Sequence, residues 1–246
     1  MSAPAPILEV AGLGVHYGAT EALHDVSFSV ERGELVGVIG PNGAGKSTMF
    51  KAICGLVNHS GNVDVNGVHC HNRTDRMDIA YIPQRNEADL TFPITVGELV
   101  VAGRRRFRPW YSRPTANDKA LAAEALDKVH LGRLESRSLN ELSGGQLQRA
   151  YLARALAQQA SVVLLDEALS GVDQPTTTEL FDVFTDLAAD GTTLLVATHD
   201  LALARRRFAR CIAVNGTIRG DGPPETVLAA DVLDSTFGTA GHALAQ

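Results

Sequence analysis

The stretch that decides the fold is Gly40-Pro41-Asn42-Gly43-Ala44-Gly45-Lys46-Ser47-Thr48, which fits the pattern of Gly, any four residues and Gly-Lys-Ser. An apolar run at 35–39 precedes it and predicts a buried strand, and residues 49–57 can continue as a helix. Glycines let backbone N–H groups turn inward, and the helix start adds its positive dipole end. The stretch therefore predicts a phosphate-binding loop, in which Lys46 reaches the outer phosphates and the hydroxyl of Ser47 ligates magnesium.

The composition indicates a globular protein of one large α/β domain or two small ones. The chain has 246 residues, of which 45% are hydrophobic and 20% are charged. Its three cysteines, Cys54, Cys70 and Cys211, form no C-x-x-C pair, so neither a disulfide framework nor a zinc cage is supported, and a reducing cytosol is expected. The net charge of −6 argues against general affinity for nucleic acid, and we predict no nucleic-acid partner.

Neither the apolar runs nor the N-terminus points to a membrane span. No run approaches the roughly 18 apolar residues that a spanning helix needs, and residues 1–6 lack the basic start and apolar centre of a signal peptide. We expect that the chain does not cross a membrane by itself. We also expect residues 1–6 and 241–246 to be flexible tails.

The segment before the loop alternates between apolar and polar residues. This pattern at 13–17 and 26–30 predicts short antiparallel strands. Tyr17 ends the first of them and could stack on a nucleotide base, although ordinary packing is an equally good interpretation. Gly12 and Gly14 form a lone G-x-G, which fits a dinucleotide-binding fingerprint poorly.

The run His69-Cys70-His71 raises the question of a metal site between two predicted strands, at 62–67 and 79–82. The three residues are adjacent in sequence and have no fourth ligand at a useful spacing. The pattern therefore favours a solvent-exposed loop.

A helical insertion is predicted at about 90–160, where apolar residues recur with the period of a helix. Five arginines within it lie among aromatic residues and could bind nucleic acid by stacking and charge neutralisation. Because the whole chain is acidic, a basic surface facing anionic lipid or a partner subunit is favoured. These residues are Arg104, Arg105, Arg106, Arg108 and Arg113, with Phe107, Trp110 and Tyr111.

A second anion-seeking helix start follows, where Ser143 is a predicted N-cap and the next residues are Gly144, Gly145 and Gln146. Further along, two buried strands are predicted. One ends in Asp166-Glu167, and the other, at 192–198, is followed by His199. Since ligands gather at the carboxyl ends of parallel strands, we expect these side chains to converge on the loop at Gly40.

Together these motifs resemble the ATP-binding subunits of ABC transporters, over about residues 7–238. They occur in the family's order: the loop 40–48, Gln84 after a strand, Leu142-Ser143-Gly144-Gly145-Gln146, Asp166-Glu167, Ser170-Gly171-Val172-Asp173, and His199. The resemblance implies an α/β fold with a P-loop NTPase core of mainly parallel sheet. It further implies an N-terminal antiparallel β subdomain and the inserted helical subdomain, within one ATP-binding domain at 7–240.

The resemblance also implies ATP and Mg²⁺ as cofactors and gives each motif a role. Tyr17 would stack on adenine, and Lys46 with the loop amides would hold the phosphates. Mg²⁺ would be organised by Ser47, Gln84 and Asp166. Glu167 would polarise the attacking water, and His199 would contact the γ-phosphate. Gln84 and Lys46 therefore count with Glu167 and His199 as catalytic candidates.

The partners implied are a second ATP-binding subunit, integral-membrane permease subunits and an extracytoplasmic solute-binding protein. In the family, the Ser143 motif of one subunit covers the ATP held by another, which accounts for two phosphate-seeking helix ends in one chain. A homodimer is expected. The protein would lie in the cytoplasm, on the inner face of the cell membrane, held there by the permease.

The cargo is predicted from shorter resemblances. Residues 91–100 and 169–173 look like those of importers for manganese, zinc or chelated iron, a prediction preferred over another small solute. An exporter would use the same ATPase chemistry. A non-transport ABC protein would normally have tandem units, a coiled coil or a basic arm, and a P-loop kinase would leave the Ser143 motif without a purpose. One departure is Ala168, where family members usually have proline, so the following loop is expected to be looser here.

Overall fold

The protein is described from a computed structural model, which covers residues 5–71, 73–84, 94–107, 109, 111–167, 169 and 173–238. The strands are β1 (Leu8–Tyr17), β2 (Thr20–Val30), β3 (Leu35–Ile39), β4 (Ser60–Val65), β5 (Val68–His69), β6 (Ile79–Ile82), β7 (Val162–Leu165), β8 (Thr193–Thr198), β9 (Arg210–Asn215) and β10 (Thr217–Gly222). The helices are α1 (Lys46–Ile53), α2 (Val96–Ala102), α3 (Ala116–Lys128), α4 (Gly144–Ala157), α5 (Gln174–Ala189), α6 (Leu201–Arg207), α7 (Pro224–Val227) and α8 (Ala230–Phe237). The predictions for Arg108, Trp110, Ala168, residues 91–93 and residues 170–172 lie outside the described residues.

The strands form two sheets, as the α/β prediction requires. One has four antiparallel strands in the order β2-β1-β4-β5. The other has six strands in the order β10-β9-β3-β8-β7-β6, and all neighbours are parallel except β10 with β9. This order places the carboxyl ends of β3, β8, β7 and β6 side by side at the same end of the sheet.

The six-stranded sheet is apolar on both faces because successive residues of a strand point to opposite sides. Val163 and Leu165 of β7 belong to one buried cluster, which also contains residues of α4 and α5. Val162 and Leu164 of the same strand belong to a second cluster with α1 and the antiparallel sheet. The strand β7 is therefore wholly buried, and the residues that follow Leu165 lie at the carboxyl end of the sheet.

The part of the predicted helical insertion that is described contains α2, α3 and α4, which pack against one another through apolar side chains. Each begins at a hydroxyl residue in a capping box: Thr95, Thr115 and Ser143. The prediction of a basic surface is wrong for Arg104, which is only 5% exposed. Its Nε donates a 3.2 Å hydrogen bond to Asp118, and the pair ties the turn after α2 to α3. The single domain at 7–240 and the flexible tails stay predictions.

The prediction of an exposed loop at 69–71 is wrong for its middle residue. His69 and His71 are exposed, whereas Cys70 is 3% exposed and lies in the core under the antiparallel sheet. Alternate residues of an extended segment face opposite sides, so the two histidines outside require the cysteine inside. Within the described part of the chain, no group of three or more His, Cys, Asp or Glu could hold a metal ion.

Candidate active site

The phosphate-loop stretch joins β3 to α1 as predicted, and its glycines have the backbone that the turn needs. Gly43 and Gly45 have φ of 81° and 96°, in the left-handed region that favours glycine. A Cβ on Gly40 would collide with the carbonyl of Val214 on β9. The loop is therefore compact and leads directly into α1, whose N-cap is Gly45.

Lys46 is the first residue of α1, and its side chain bends back over the loop. Its Nζ donates hydrogen bonds to the carbonyl oxygens of Gly40 at 2.7 Å and Pro41 at 3.0 Å, and the residue is 4% exposed. Burial lowers the pKa of the Lys46 ammonium, while the carboxylates of Glu167 and Asp166 act in the opposite direction. A cation beside the backbone N–H groups of a loop and helix start suits a polyanion such as a phosphate chain.

Asp166 follows β7 and lies against the start of α1. Ser47 Oγ donates a 2.9 Å hydrogen bond to Asp166 Oδ1, and Tyr81 Oη donates one of 2.9 Å to Oδ2. The residue is 2% exposed, and this burial raises the pKa of its carboxyl, which the bonds from Ser47 and Tyr81 oppose. The predicted convergence of Asp166 on the loop is confirmed.

Glu167 gathers three side chains from separate parts of the chain. Gln84 Nε2 donates a 2.9 Å hydrogen bond to Oε2, while His199 Nδ1 and Lys46 Nζ lie 3.7 Å and 3.9 Å from Oε1. The backbone of Glu167 has a φ of 45°, a left-handed conformation that costs energy for a residue with a side chain. Strained residues held by several partners are common at functional sites.

The oxygen atoms at this end of the sheet fit a magnesium ion. A hydroxyl (Ser47), a carboxylate (Asp166) and an amide oxygen (Gln84) are the hard donors that Mg²⁺ takes, with water completing its shell. Ser47 and Asp166 are already in hydrogen-bond contact at 2.9 Å. The arrangement combines a loop that can hold phosphates, oxygen donors that suit a metal ion and a separate carboxylate, Glu167, that can polarise water. These are the parts that phosphoryl transfer from a nucleoside triphosphate requires.

Comparisons with known proteins identify the family of this chain. The sequence model described as "ABC transporter" matches residues 23–170, which is more than half of the chain. The chain belongs to this family. As an ABC transporter ATPase it binds ATP and couples ATP hydrolysis to transport.

Three relatives that are named for transport systems match nearly the whole chain. The manganese transport system ATP-binding protein MntB of Halalkalibacterium halodurans is 38% identical over 94% of this chain and 92% of its own length. The chelated iron transport system membrane protein YfeB of Yersinia pestis is 38% identical over 95% and 79%. The zinc transport system ATP-binding protein TroB of Treponema pallidum is 37% identical over 97% and 89%.

A solved structure supports the fold. The ATP-binding cassette of an ABC transporter in its ADP conformation superposes with a TM-score of 0.83, at 24% identity over 95% of this chain and 97% of that one. At this identity the likeness speaks for the fold alone. It confirms the predicted P-loop core with an antiparallel β subdomain and inserted helices.

The Ser143 motif of this ABC transporter subunit has the predicted helix start, and the hydrogen bonds described for its side chains are local. Ser143 Oγ accepts a 3.3 Å hydrogen bond from the N–H of Gln146, whose side-chain oxygen accepts one of 3.0 Å from the N–H of Ser143. Gly144 begins α4, and Gly145 packs against Thr176 of α5. Among the described residues, no hydrogen bond of Ser143 or Gln146 reaches residues 40–48.

Tyr17 ends β1 with half of its surface exposed. It pairs with Thr20 across the turn to β2, whose Ala22 and Leu23 pack against Gly45. The aromatic ring therefore lies on the β1–β2 hairpin, which packs against the phosphate loop. Stacking of a nucleotide base on Tyr17 stays a prediction.

The sequence reasoning missed Tyr81, which contacts Asp166 directly. The available signal was a hydroxyl-bearing aromatic in an otherwise apolar strand, three residues before Gln84. Periodicity places Tyr81 on β6 but says nothing about its partner, 85 residues further along.

Proposed function

We propose that this ABC transporter ATPase powers the import of a transition metal, either manganese or zinc as ions or iron as a chelate. The observation that carries the proposal is that three relatives named for these cargoes match over at least 94% of the chain at 37–38% identity. The resemblance of the sequence at 91–100 and 169–173 to such importers points the same way. The cargoes for which the relatives are named differ, so the proposal is a class of cargo whose members must be separated by experiment.

The site residues divide the work of ATP hydrolysis. The backbone of residues 40–48 and the ammonium of Lys46 hold the phosphates, and Tyr17 stacks on the adenine. Ser47, Asp166 and Gln84 would hold Mg²⁺, which neutralises charge on the phosphate oxygens when bound. Glu167 polarises the attacking water, and His199 contacts the γ-phosphate. The proximity of Glu167 to Lys46, Gln84 and His199 supports these assignments.

A second copy of the chain would complete each site. Ser143, Gly144, Gly145 and Gln146 present a helix start that suits an anion, and the side-chain hydrogen bonds described for Ser143 and Gln146 stay within this helix start. A homodimer in which each motif covers the ATP of the other subunit uses both features. The predicted dimer therefore has two ATP molecules at its interface.

The membrane partner would dock beside Gln84. A cavity of about 560 Å³ lies between β6 and the helical insertion, and it is lined on its β6 side by Met77, Tyr81 and Pro83. No helix among the described residues is both long and apolar enough to span a bilayer. Because its relatives are ATP-binding subunits of transport systems, we place the protein on the cytoplasmic face of the membrane, bound to permease subunits that receive cargo from an extracytoplasmic solute-binding protein.

The test is to isolate the protein with its permease, reconstitute the complex in liposomes with the solute-binding protein, and offer candidate cargoes. We expect one of Mn²⁺, Zn²⁺ or a ferric chelate to raise ATP hydrolysis and to accumulate with it. A complex with Glu167→Gln is the matched control, since it should bind the same partners but hydrolyse ATP far more slowly. If all three metals leave hydrolysis unchanged while another solute raises it, the metal assignment is wrong and the ATPase assignment stands.

A further inference from the structure

Tyr81 reaches the active site from a strand whose other residues are apolar. It lies on β6, pairs with Leu164 of β7 in the parallel ladder, and is partly buried. Its Oη donates a hydrogen bond of 2.9 Å to Oδ2 of Asp166. The phenol therefore crosses from one strand to the carboxylate that ends the next.

The two oxygens of Asp166 have different donors. Ser47 Oγ holds Oδ1 and Tyr81 Oη holds Oδ2, both at 2.9 Å. If the hydroxyl of Ser47 turns to ligate a metal ion, its hydrogen bond to Oδ1 is altered, whereas the bond from Tyr81 on the opposite oxygen can stay. Tyr81 is thus the donor that can fix the carboxylate both before and after a metal ion binds.

Burial makes this contact important. Asp166 is 2% exposed, so water offers little alternative solvation to its carboxylate. A buried charged oxygen without a donor is costly, and a carboxylate with only one donor can rotate about its last bond. Groups that hold a metal ligand from behind commonly determine its affinity for the metal, because they set its direction and its charge.

We propose that Tyr81 is a positioning residue for Asp166, and that it sets the affinity of the nucleotide-bound protein for its divalent cation. The inference rests on the proposed role of Asp166 at Mg²⁺. In this proposal Tyr81 is not itself a ligand of the cation or of the phosphates. Its hydroxyl acts through Asp166, and its ring fills the same space that a phenylalanine would fill.

The test is Tyr81→Phe, which removes only the hydroxyl. Affinity for a fluorescent ATP analogue is measured in EDTA and then across a Mg²⁺ titration, together with the thermal stabilisation that Mg²⁺ adds. We expect roughly ten-fold more Mg²⁺ to be needed for half of the effect, the lower end of the range for such outer contacts, and unchanged affinity in EDTA. Tyr151→Phe on α4, which also removes a partly buried hydroxyl, should behave like the unsubstituted protein.

A double-substitution cycle keeps the test independent of folding effects. In a protein that already has Asp166→Asn, the change Tyr81→Phe should not alter the Mg²⁺ dependence further. An unchanged Mg²⁺ titration in Tyr81→Phe overturns the proposal, as does an equal loss of nucleotide affinity with and without Mg²⁺, which is what a purely structural tyrosine would give. If Mg²⁺ has no effect on the unsubstituted protein, the proposed metal site itself fails.

Discussion

The side-chain amide of Gln84 donates a 2.9 Å hydrogen bond to the carboxylate of Glu167, across 83 positions of sequence. Gln84 follows β6 and Glu167 follows β7, and these two strands are neighbours in the parallel sheet. The bond joins the end of the strand beside the proposed permease cavity to the group that we assign to water activation. A displacement of Gln84 would therefore move or release the carboxylate of Glu167.

Substitution Glu167→Gln should leave MgATP binding intact and lower hydrolysis by about 10²–10⁴-fold, because an amide cannot take a proton from water. The variant should also accumulate as an ATP-bound dimer. Phosphate release measures the first effect, and size-exclusion chromatography with ATP measures the second. Glu124→Gln, an exposed carboxylate on α3, should hydrolyse ATP normally. Turnover close to normal in Glu167→Gln would remove Glu167 from its proposed role.

Ser143→Ala should act both on stability and on assembly. Loss of the hydrogen bond from Ser143 Oγ to the N–H of Gln146 should cost about 1 kcal/mol of unfolding free energy, as for other N-caps. Thr115→Ala removes an equivalent cap from α3 and should cost about the same. In the Glu167→Gln background, only Ser143→Ala should weaken the ATP-dependent dimer. Equal dimerisation of the two variants would contradict a role for Ser143 across the interface.

Gly145→Ala should destabilise the start of α4 because a Cβ there would overlap the Cγ2 methyl of Thr176 on α5. Overpacking of this kind typically costs about 1–3 kcal/mol. Thr176→Ser removes that methyl and retains the hydroxyl that bonds Asp173, so it should restore much of the loss. Urea unfolding of the two single variants and the double variant measures the coupling. Strict additivity of the two substitutions would show that the contact is not the cause.

Acid should destabilise the protein in part through its helix-capping carboxylates. Hydrogen bonds from the N–H and the hydroxyl of Thr176 hold the pKa of Asp173 below its ordinary value, and Thr115 and Thr95 do the same for Asp118 and Glu98. Because the folded pKa is the lower one, the stabilisation is full above the unfolded pKa of about 4 and is lost as the pH falls through the folded value.

Asp173→Asn tests this pH dependence, since asparagine is also a good N-cap but does not titrate. Between about pH 6 and pH 3, the midpoint of urea unfolding should fall less steeply in this variant than in the unsubstituted protein. Asp231→Asn, an exposed acid for which no capping hydrogen bond is found, serves as the control. Parallel curves for all three proteins would show that the cap at Asp173 does not contribute to the acid response.

Local sequence was sufficient for features that depend on neighbouring residues. The spacing in 40–48 required the strand, turn and helix that the structure has, because the left-handed backbone at Gly43 and Gly45 is available to glycine at little cost. The cap at Ser143 was predicted from Ser143 and the residues that directly follow it. The β9–β10 hairpin turns at Gly216, whose φ of 70° is again a conformation that glycine adopts at little cost. The resemblance to ABC transporters then supplied roles for single residues, which no local rule could give.

Tertiary structure decided how those residues meet. The sequence placed Gln84, Asp166 and Glu167 at strand ends, but only the strand order joined Gln84 to Glu167 and gave Asp166 its second donor in Tyr81. Tertiary structure also brought the Lys46 ammonium to the loop carbonyls, buried Cys70 in the core and paired Arg104 with Asp118. These outcomes depend on packing between segments far apart in the chain, where burial leaves each polar group only the partners that the fold brings to it.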